Sequence, residues 1–307
     1  MMAHTDAYLD RLGLDRTSLD REGPTAAALD RIHRRHVERV TYETTWIHLG
    51  EPWTIEPSDA ARRIATAGRG GYCFHLNGAL STLLTELGYD VTLHVGGVHR
   101  AAPDEADLHN HLVLLVHGLP TPGHSDGTWY VDAGLGDALH APLPLRAGEF
   151  EQGPMTFWLE RTPGGVGDWH FTHDTSGSFA GMSFSTAPTD IAVFAARHEF
   201  LAHSAESPFA RTVTAQLRDA DGTTVLRGRR VTRTDRTGST AHVVDDLDAW
   251  IDVLAGTFHV DLSAASPAAI ARMWDRARAA TADDDTHDDD TDDQTDIARL
   301  TRQGTPT

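Results

Sequence analysis

Apolar residues recur at helical spacing through the first 88 residues of the chain. Over residues 25–40 they follow a period of about 3.6, and Pro24 suits the start of that helix. Ser58 can cap a second helix, and Gly68 can end it. Most of this part of the chain is therefore predicted to be helical.

The clearest helical pattern follows Cys73. Leucines recur there at i, i+4, i+7, i+8 and i+11 and line one wide apolar face: Leu76, Leu80, Leu83, Leu84 and Leu87. Gly88 stands where a left-handed residue after the helix is expected. The pattern predicts an amphipathic helix that begins beside the cysteine.

Over residues 89–188 the pattern is one of alternating apolar and polar residues and of short apolar runs, both of which are typical of strands. Strands are predicted over residues 91–95, 111–116 and 129–131, and three aromatic positions indicate more of them: Trp158, Trp169 and Phe171. Proline, glycine and aspartate cluster at 120–127, which predicts a turn-rich loop.

Helical and strand patterns mix over residues 189–280. Thr189 can cap a helix over 191–203, and further helices are predicted at 247–254 and 267–279. Short strands are predicted between them, at 212–217 and 224–226. The last segment, 281–307, is acidic and nearly free of apolar groups, which predicts a disordered tail.

The charge of the chain bears on which partners it can have. The formal net charge is −19, and nine aspartates within residues 283–296 contribute a large part of it. All 26 basic residues are arginine, and they form no cluster of the kind that nucleic acids or anionic membranes require. We therefore expect neither partner.

The beginning of the chain shows no apolar core of a secretory signal, and no apolar run approaches the length of a membrane span. One cysteine excludes an intrachain disulfide and suits a reducing cytosol. These features predict a cytoplasmic protein.

The segment that leads into Cys73 carries the candidate chemistry. Gly70 and Gly71 permit a sharp turn, so Cys73 is predicted at a helix N-terminus, where free N–H groups and the helix dipole favour a thiolate. The same N–H groups could stabilise an oxyanion. A lone cysteine is more often a small buried apolar residue, and only its place at this turn favours a nucleophile.

A nucleophilic cysteine needs a base and an orienting acceptor that are close to it in space. His111 opens the apolar run at 111–116, with His109 as a rival on the same predicted strand face. Asp132 ends the run at 129–131 before a glycine-rich segment, where it is either a turn former or a functional group.

These residues occur in motifs that together resemble the arylamine N-acetyltransferase family. Residues 69–73 are similar to its Arg-Gly-Gly-x-Cys motif, residues 111–116 to its strand that opens with histidine, and residues 131–136 to its Val-Asp-x-Gly-x-Gly segment. Their order and the 38-residue interval from Cys73 to His111 also fit. The resemblance covers roughly residues 6–140.

The resemblance implies an α+β fold of three domains. These would be a helical domain at 1–88 that carries the nucleophile, a β-barrel-like domain at 89–188 that carries the histidine and aspartate, and an α/β lid domain at 189–280. It also implies no permanently bound cofactor, with acetyl-CoA as co-substrate and a small-molecule amine as acceptor.

The resemblance further implies roles for individual residues. Cys73 would be the nucleophile of a ping-pong acetyl transfer, His111 its base, and Asp132 the residue that orients the imidazole. Arg69 would act structurally through an ion pair with Glu43. The family's pocket positions fall on Tyr42, Phe74, Val98 and Leu135, and the chain departs from the family pattern at Tyr42 and Leu135.

Three other functions fit the same residues. The first is an amide synthase of this family that takes a polyketide chain from a carrier protein, which the smaller Leu135 and the long loop at 118–128 would suit. A non-catalytic binding protein and a thiol hydrolase are the others. We expect no metal site, because His33 and His36 are predicted on a solvated helix face beside two arginines.

Overall fold

The computed structural model describes residues 4–287. The first part of the chain is helical, as predicted, apart from one two-residue strand, β1 (Tyr42–Glu43). Its helices are α1 (Thr5–Leu12), α2 (Arg16–Glu22), α3 (Ala26–Arg39), α4 (Thr45–Leu49), α5 (Pro57–Ala67) and α6 (Cys73–Glu86). Gly68 and Gly88 have the positive φ angles that the sequence predicts after α5 and α6.

Helix α6 begins at Cys73, as predicted, but its first nine residues are all buried, so this part of the helix has no solvated face. Polar residues on the side opposite the leucines are buried too, including His75 and Asn77. Helix α5 packs on one side of α6, and strands of the central sheet pack on the other. The amphipathic interpretation was therefore wrong, since α6 is the central helix of the first core rather than a surface helix.

Two predicted helix caps were also wrong. Helix α5 starts at Pro57, one residue before Ser58, because proline lacks the N–H that a cap would satisfy. The helix predicted at 191–203 begins as a 3-10 turn (Ile191–Phe194), and Asp190 rather than Thr189 accepts from the backbone N–H of Ala192.

His33 and His36 do not lie on a solvated face of α3, since both side chains are fully buried. His36 is hydrogen-bonded to the Tyr8 hydroxyl at 2.8 Å, and His33 Nδ1 lies 3.2 Å from the carbonyl oxygen of His140. Burial lowers the pKa of His33 to about 4 and that of His36 to about 3. They are neutral core residues of the helical part.

An eight-stranded antiparallel sheet follows, with spatial order β5-β4-β3-β2-β9-β8-β7-β6. Its strands are β2 (Asp90–His99), β3 (His111–His117), β4 (Trp129–Val131), β5 (Leu143–Pro144), β6 (Gly148–Gln152), β7 (Met155–Arg161), β8 (Trp169–Thr172) and β9 (Gly181–Thr189). Side chains from distant strands of the sheet, such as Tyr130 and Phe157, share one core. The sheet therefore curves round its own interior like a barrel, as the predicted α+β fold requires.

The last part combines helices with a five-stranded antiparallel sheet of order β1-β10-β11-β12-β13. Its elements are α7 (Ala195–His203), α8 (Pro208–Arg211), β10 (Thr214–Arg218), β11 (Gly222–Arg227), β12 (Arg230–Asp235), β13 (Gly238–Val243), α9 (Leu247–Gly256) and α10 (Pro267–His287). Strand β1 belongs to the helical part of the chain, so this sheet joins the two ends of the sequence.

Helix α10 runs past residue 279 into the segment predicted to be a disordered tail. Thr281 supports this extension, because its buried hydroxyl accepts a hydrogen bond from the backbone of Arg229 at 2.9 Å. Residues 288–307 of that segment lie outside the described residues. Over the part of the chain that is described, no helix combines the length and apolar character that a membrane crossing requires.

Candidate active site

Cys73 is the first residue of α6 and follows a glycine turn that fits tightly against β1. The backbone N–H of Glu43 donates to the carbonyl oxygen of Gly71 at 2.9 Å, and Gly71 has φ +116°. A Cβ atom on Gly70 would lie 2.0 Å from the carbonyl oxygen of Thr41, so only glycine fits there. The turn places the Cys73 side chain, which is 5% exposed, between the helical part and the barrel-like sheet.

His111 and Asp132 lie at corresponding ends of two neighbouring strands. His111 opens β3, Asp132 follows β4, and the antiparallel register of these strands brings the two side chains together. His111 Nε2 lies 2.8 Å from Asp132 Oδ2, and both residues are buried. The structure therefore pairs the histidine and carboxylate singled out in the sequence.

The ionisation of His111 is strongly influenced by these neighbours. Burial acts to lower its pKa, but the charge of Asp132, the hydrogen bond to it and a hydrogen bond with Cys73 together raise the pKa to about 10. The Cys73 Sγ atom also lies 3.8 Å from the carbonyl oxygen of Asn110. The thiol of Cys73, the imidazole of His111 and the carboxylate of Asp132 thus lie next to one another. The imidazole can take the proton of the thiol, and the carboxylate can stabilise the imidazolium that results.

His109 does not compete with His111 for this place. It lies in the turn before β3, with a φ of +77° and an exposed side chain, rather than on the same strand face. Strand pairing begins only at His111, opposite Gly96, so the expected strand position of His109 was wrong.

Two residues that the sequence analysis assigned no role complete the surroundings of Asp132. Asn77 Nδ2 donates to Asp132 Oδ1 at 2.8 Å, and the Tyr130 hydroxyl donates to Asp132 Oδ2 at 3.0 Å. Spacing could have indicated both, because Asn77 lies one helical turn after Cys73 and Tyr130 lies two strand positions before Asp132.

The residues predicted to line a substrate pocket lie in different surroundings. Tyr42 is half-buried in β1, and both burial and the charge of Cys73 raise its pKa. Val98 and Leu135 pack in the core of the barrel-like sheet. Phe74 is fully buried in the first core, where its ring centroid lies 5.0 Å from that of Phe194.

Arg69 and Glu43 form the ion pair that the resemblance implies. Arg69 Nε lies 3.0 Å from Glu43 Oε1, and Arg69 Nη2 donates to the Thr45 hydroxyl at 2.7 Å. Glu43 Oε2 accepts from the backbone N–H of Thr45 at 2.9 Å. These contacts fix the turn before Cys73 to β1 and to the start of α4.

Comparisons with known proteins agree with this architecture. A family model described as N-acetyltransferase matches residues 25–266. An arylamine N-acetyltransferase of Mycolicibacterium smegmatis is 29% identical over 265 residues, which are 83% of this chain and 91% of that protein. The arylamine N-acetyltransferase of Mycobacterium bovis is 30% identical over 266 residues, which are 84% of this chain and 89% of that protein.

Solved structures agree as well. The Mycobacterium marinum arylamine N-acetyltransferase in complex with CoA superposes with a TM-score of 0.77 at 25% identity, covering 90% of this chain and 99% of that one. The M. smegmatis arylamine N-acetyltransferase superposes with a TM-score of 0.75 at 26% identity, and the match covers 88% of this chain and 98% of that one.

These matches place the protein among the acyltransferases. Because the family model spans most of its length, the chain belongs to the N-acetyltransferase family, and the resemblance to arylamine N-acetyltransferases is confirmed.

Proposed function

We propose that this protein moves an acetyl group from acetyl-CoA to an arylamine through an acetyl-Cys73 intermediate. Acetyl transfer to arylamines is the activity of the family, and the CoA complex of the M. marinum relative supports acetyl-CoA as the donor. The observation that carries the assignment to these residues is the buried pair of His111 and Asp132, 2.8 Å apart, on which Cys73 acts through its hydrogen bond and charge.

In the first half-reaction, the thiolate of Cys73 attacks the thioester carbonyl of acetyl-CoA. The new carbon–sulfur bond forms as the bond to the CoA sulfur breaks, and CoA leaves as a thiol after it takes a proton from the imidazolium of His111. Because α6 begins at Cys73, N–H groups of its first turn would stabilise the oxyanion that develops there.

In the second half-reaction, the amine nitrogen attacks the acetyl-cysteine carbonyl. His111 takes a proton from the amine, the carbon–sulfur bond breaks, and Cys73 leaves as the thiolate that began the cycle. Asp132 holds the His111 tautomer through Nε2, which leaves Nδ1 for the proton transfers. The balanced outcome is acetylamine and free CoA from amine and acetyl-CoA.

Other residues support this function without taking part in the chemistry. Arg69 and Glu43 hold the turn before the nucleophile, and Tyr42, whose pKa is raised by burial and by the charge of Cys73, lies near the sulfur. Phe74, Val98 and Leu135 remain predicted pocket positions. We further infer that the protein works in the reducing cytoplasm, where its single cysteine stays a thiol.

Mass spectrometry of the intact protein tests the proposal. After incubation with acetyl-CoA, the wild-type chain should gain one acetyl group on Cys73 and release one equivalent of CoA. Addition of an arylamine should remove that group and yield the acetylated amine. Cys73→Ala should gain no acetyl group, and Asp132→Asn should lose about 10³- to 10⁴-fold in rate while keeping the fold.

Three results would contradict the proposal. If the wild type neither gains the acetyl group nor releases CoA, the assigned activity is wrong. Release of acetate at the same rate without an amine would instead identify a thiol hydrolase. Transfer from an acylated carrier protein but not from acetyl-CoA would identify an amide synthase.

A further inference from the structure

Tyr130 reaches the active site from inside the barrel-like sheet. It is the middle residue of β4, its side chain is fully buried, and its hydroxyl donates to Asp132 Oδ2 at 3.0 Å. The ring is held in place by the core of the sheet. Its centroid lies 5.1 Å from that of Phe184, on which it stacks, and 5.9 Å from that of Phe171. The packing of the ring therefore fixes the hydroxyl beside Asp132.

The Tyr130 hydroxyl and His111 bond to the same oxygen atom. Asp132 Oδ2 accepts from the hydroxyl and lies 2.8 Å from His111 Nε2, whereas Oδ1 accepts from other donors. Burial and the charge of Asp132 raise the pKa of Tyr130 well above its ordinary value, so the hydroxyl keeps its proton and remains a donor. A carboxylate that accepts a further hydrogen bond is a weaker base. The hydroxyl thus competes with His111 for the charge of Oδ2.

The strength of the bond between His111 and Asp132 matters for the reaction. His111 holds a proton while Cys73 is a thiolate and gives that proton up when CoA leaves. Burial acts to lower the pKa of His111, but the charge of Asp132, the hydrogen bond to it and Cys73 raise the pKa to about 10. An acid gives up its proton more slowly as its pKa rises above the working pH. A donor that makes Asp132 a weaker base acts against this effect.

We propose that Tyr130 is a positioning residue that acts through Asp132 and limits how strongly this carboxylate holds the proton of His111. The inference rests on the proposed function, because the limit matters only if His111 gives up its proton during turnover. The Tyr130 hydroxyl bonds to Asp132 and the ring packs in the barrel core, so this residue acts at one remove from the reacting atoms.

Titration of His111 tests this role without any turnover. The chains compared all carry Cys73→Ala, which removes the contribution of the thiol and lets the imidazole titrate at a lower pH. NMR with isotope-labelled histidine rings follows each histidine, and the signal of His111 is the one that His111→Gln lacks. Tyr130→Phe keeps the ring and removes only the hydroxyl. It should raise the pKa of His111 by about 0.5–1 pH unit, the size expected for the loss of one hydrogen bond.

Tyr8→Phe is the matched control, since Tyr8 is also fully buried and its hydroxyl is bonded to a side chain, that of His36, at 2.8 Å. It should leave the pKa of His111 unchanged. In an Asp132→Asn chain there is no carboxylate charge to share, so Tyr130→Phe should shift the pKa of His111 much less there. A pKa of His111 that is the same with and without the Tyr130 hydroxyl would overturn the proposal, and so would an equal shift in the Asp132→Asn chain.

Single-turnover kinetics of chains with an intact Cys73 give a second readout. Because His111 holds its proton more strongly in Tyr130→Phe, the release of CoA should be slower by about threefold. Transfer of the acetyl group from Cys73 to an arylamine, in which His111 accepts a proton, should not be slowed. Equal slowing of both steps would contradict the proposal, because a loosened site affects both. Absence of acetyl transfer by the wild type would contradict the proposed function and leave the titration of His111 readable.

Discussion

At the scale of single residues, the buried carboxylate of Asp132 accepts four hydrogen bonds, two on each oxygen. Oδ2 accepts from His111 and Tyr130, and Oδ1 accepts from Asn77 and from the backbone N–H of Gly134 at 2.9 Å. A buried carboxylate is costly unless its lone pairs are satisfied in this way. The arrangement keeps a negative charge next to His111 with almost no contact with water.

This charge should make the stability of the protein depend on pH through His111. The folded pKa of about 10 is above the ordinary value of 6.5, so protonated His111 stabilises the fold fully below pH 6.5. That contribution should be lost as the pH rises through the folded pKa. Urea unfolding of the wild type and of His111→Gln should be measured from pH 6.5 to 10. The free energy by which the wild type is more stable than the variant should become smaller as the pH rises.

The comparison with His111→Gln cancels the pH dependence of groups that do not interact with His111, since both proteins share them. A difference in free energy of unfolding that stays constant from pH 6.5 to 10 would contradict the expected coupling between His111 and Asp132.

At the scale of elements, the site depends on how closely the loop after β4 approaches the start of α6. Ala133 donates its backbone N–H to Asn77 Oδ1 at 2.8 Å, and the next residue is Gly134. A Cβ atom on Gly134 would lie 2.8 Å from the Cα of Cys73 and 3.0 Å from Asn77 Nδ2. Strand β4 and helix α6 therefore meet at a position where only glycine fits.

Gly134→Ala should consequently push this loop away from α6. We expect kcat/KM to fall by about 100-fold, because shifts of about 1 Å in catalytic groups have effects of this size. The free energy of unfolding should fall by about 1–3 kcal/mol through overpacking. Steady-state kinetics and urea unfolding measure the two effects.

Gly123→Ala is the matched control, since no atom lies within 4 Å of a Cβ at that position. It should behave like the wild type in both measurements. Full activity of Gly134→Ala would show that the site tolerates a wider separation between β4 and α6.

At the scale of the whole molecule, the sequence predicts the local features of the site and misses the distant ones. The start of α6, the strand that begins at His111 and the place of Asp132 after β4 follow from hydrophobic periodicity and glycine positions within short windows. The burial of α6 on all sides cannot be predicted from such windows, because it depends on which other elements cover the helix.

Long-range pairing is the clearest case of what a single sequence leaves open. Strand β1 has only two residues and pairs with β10, near the other end of the chain, so no periodic pattern indicates it. His33 is similar, because its polar ring and arginine neighbours are typical of a solvated face, whereas the loop around His140 covers it.

Arg218 shows how contacts between distant parts hold the molecule together. It lies in β10 and is 1% exposed, yet its guanidinium bonds only to backbone carbonyls. Nε donates to Ala138 at 2.9 Å and Nη2 donates to Gln152 at 2.6 Å, both in the barrel-like part, while Nη1 donates to Gly222 at 2.9 Å in the last sheet. One side chain thus joins the two sheets.

Arg218→Met should therefore destabilise the whole protein by about 2–4 kcal/mol, because methionine fills similar space but leaves buried carbonyl oxygens without donors. Activity should fall as well, since Ala138 lies in the loop that follows Asp132. The control is Arg233→Met, which removes a part-exposed ion pair with Asp219 inside the last sheet and should cost about 0–1 kcal/mol. Urea unfolding that finds equal losses for the two variants would mean that Arg218 does not hold the sheets together.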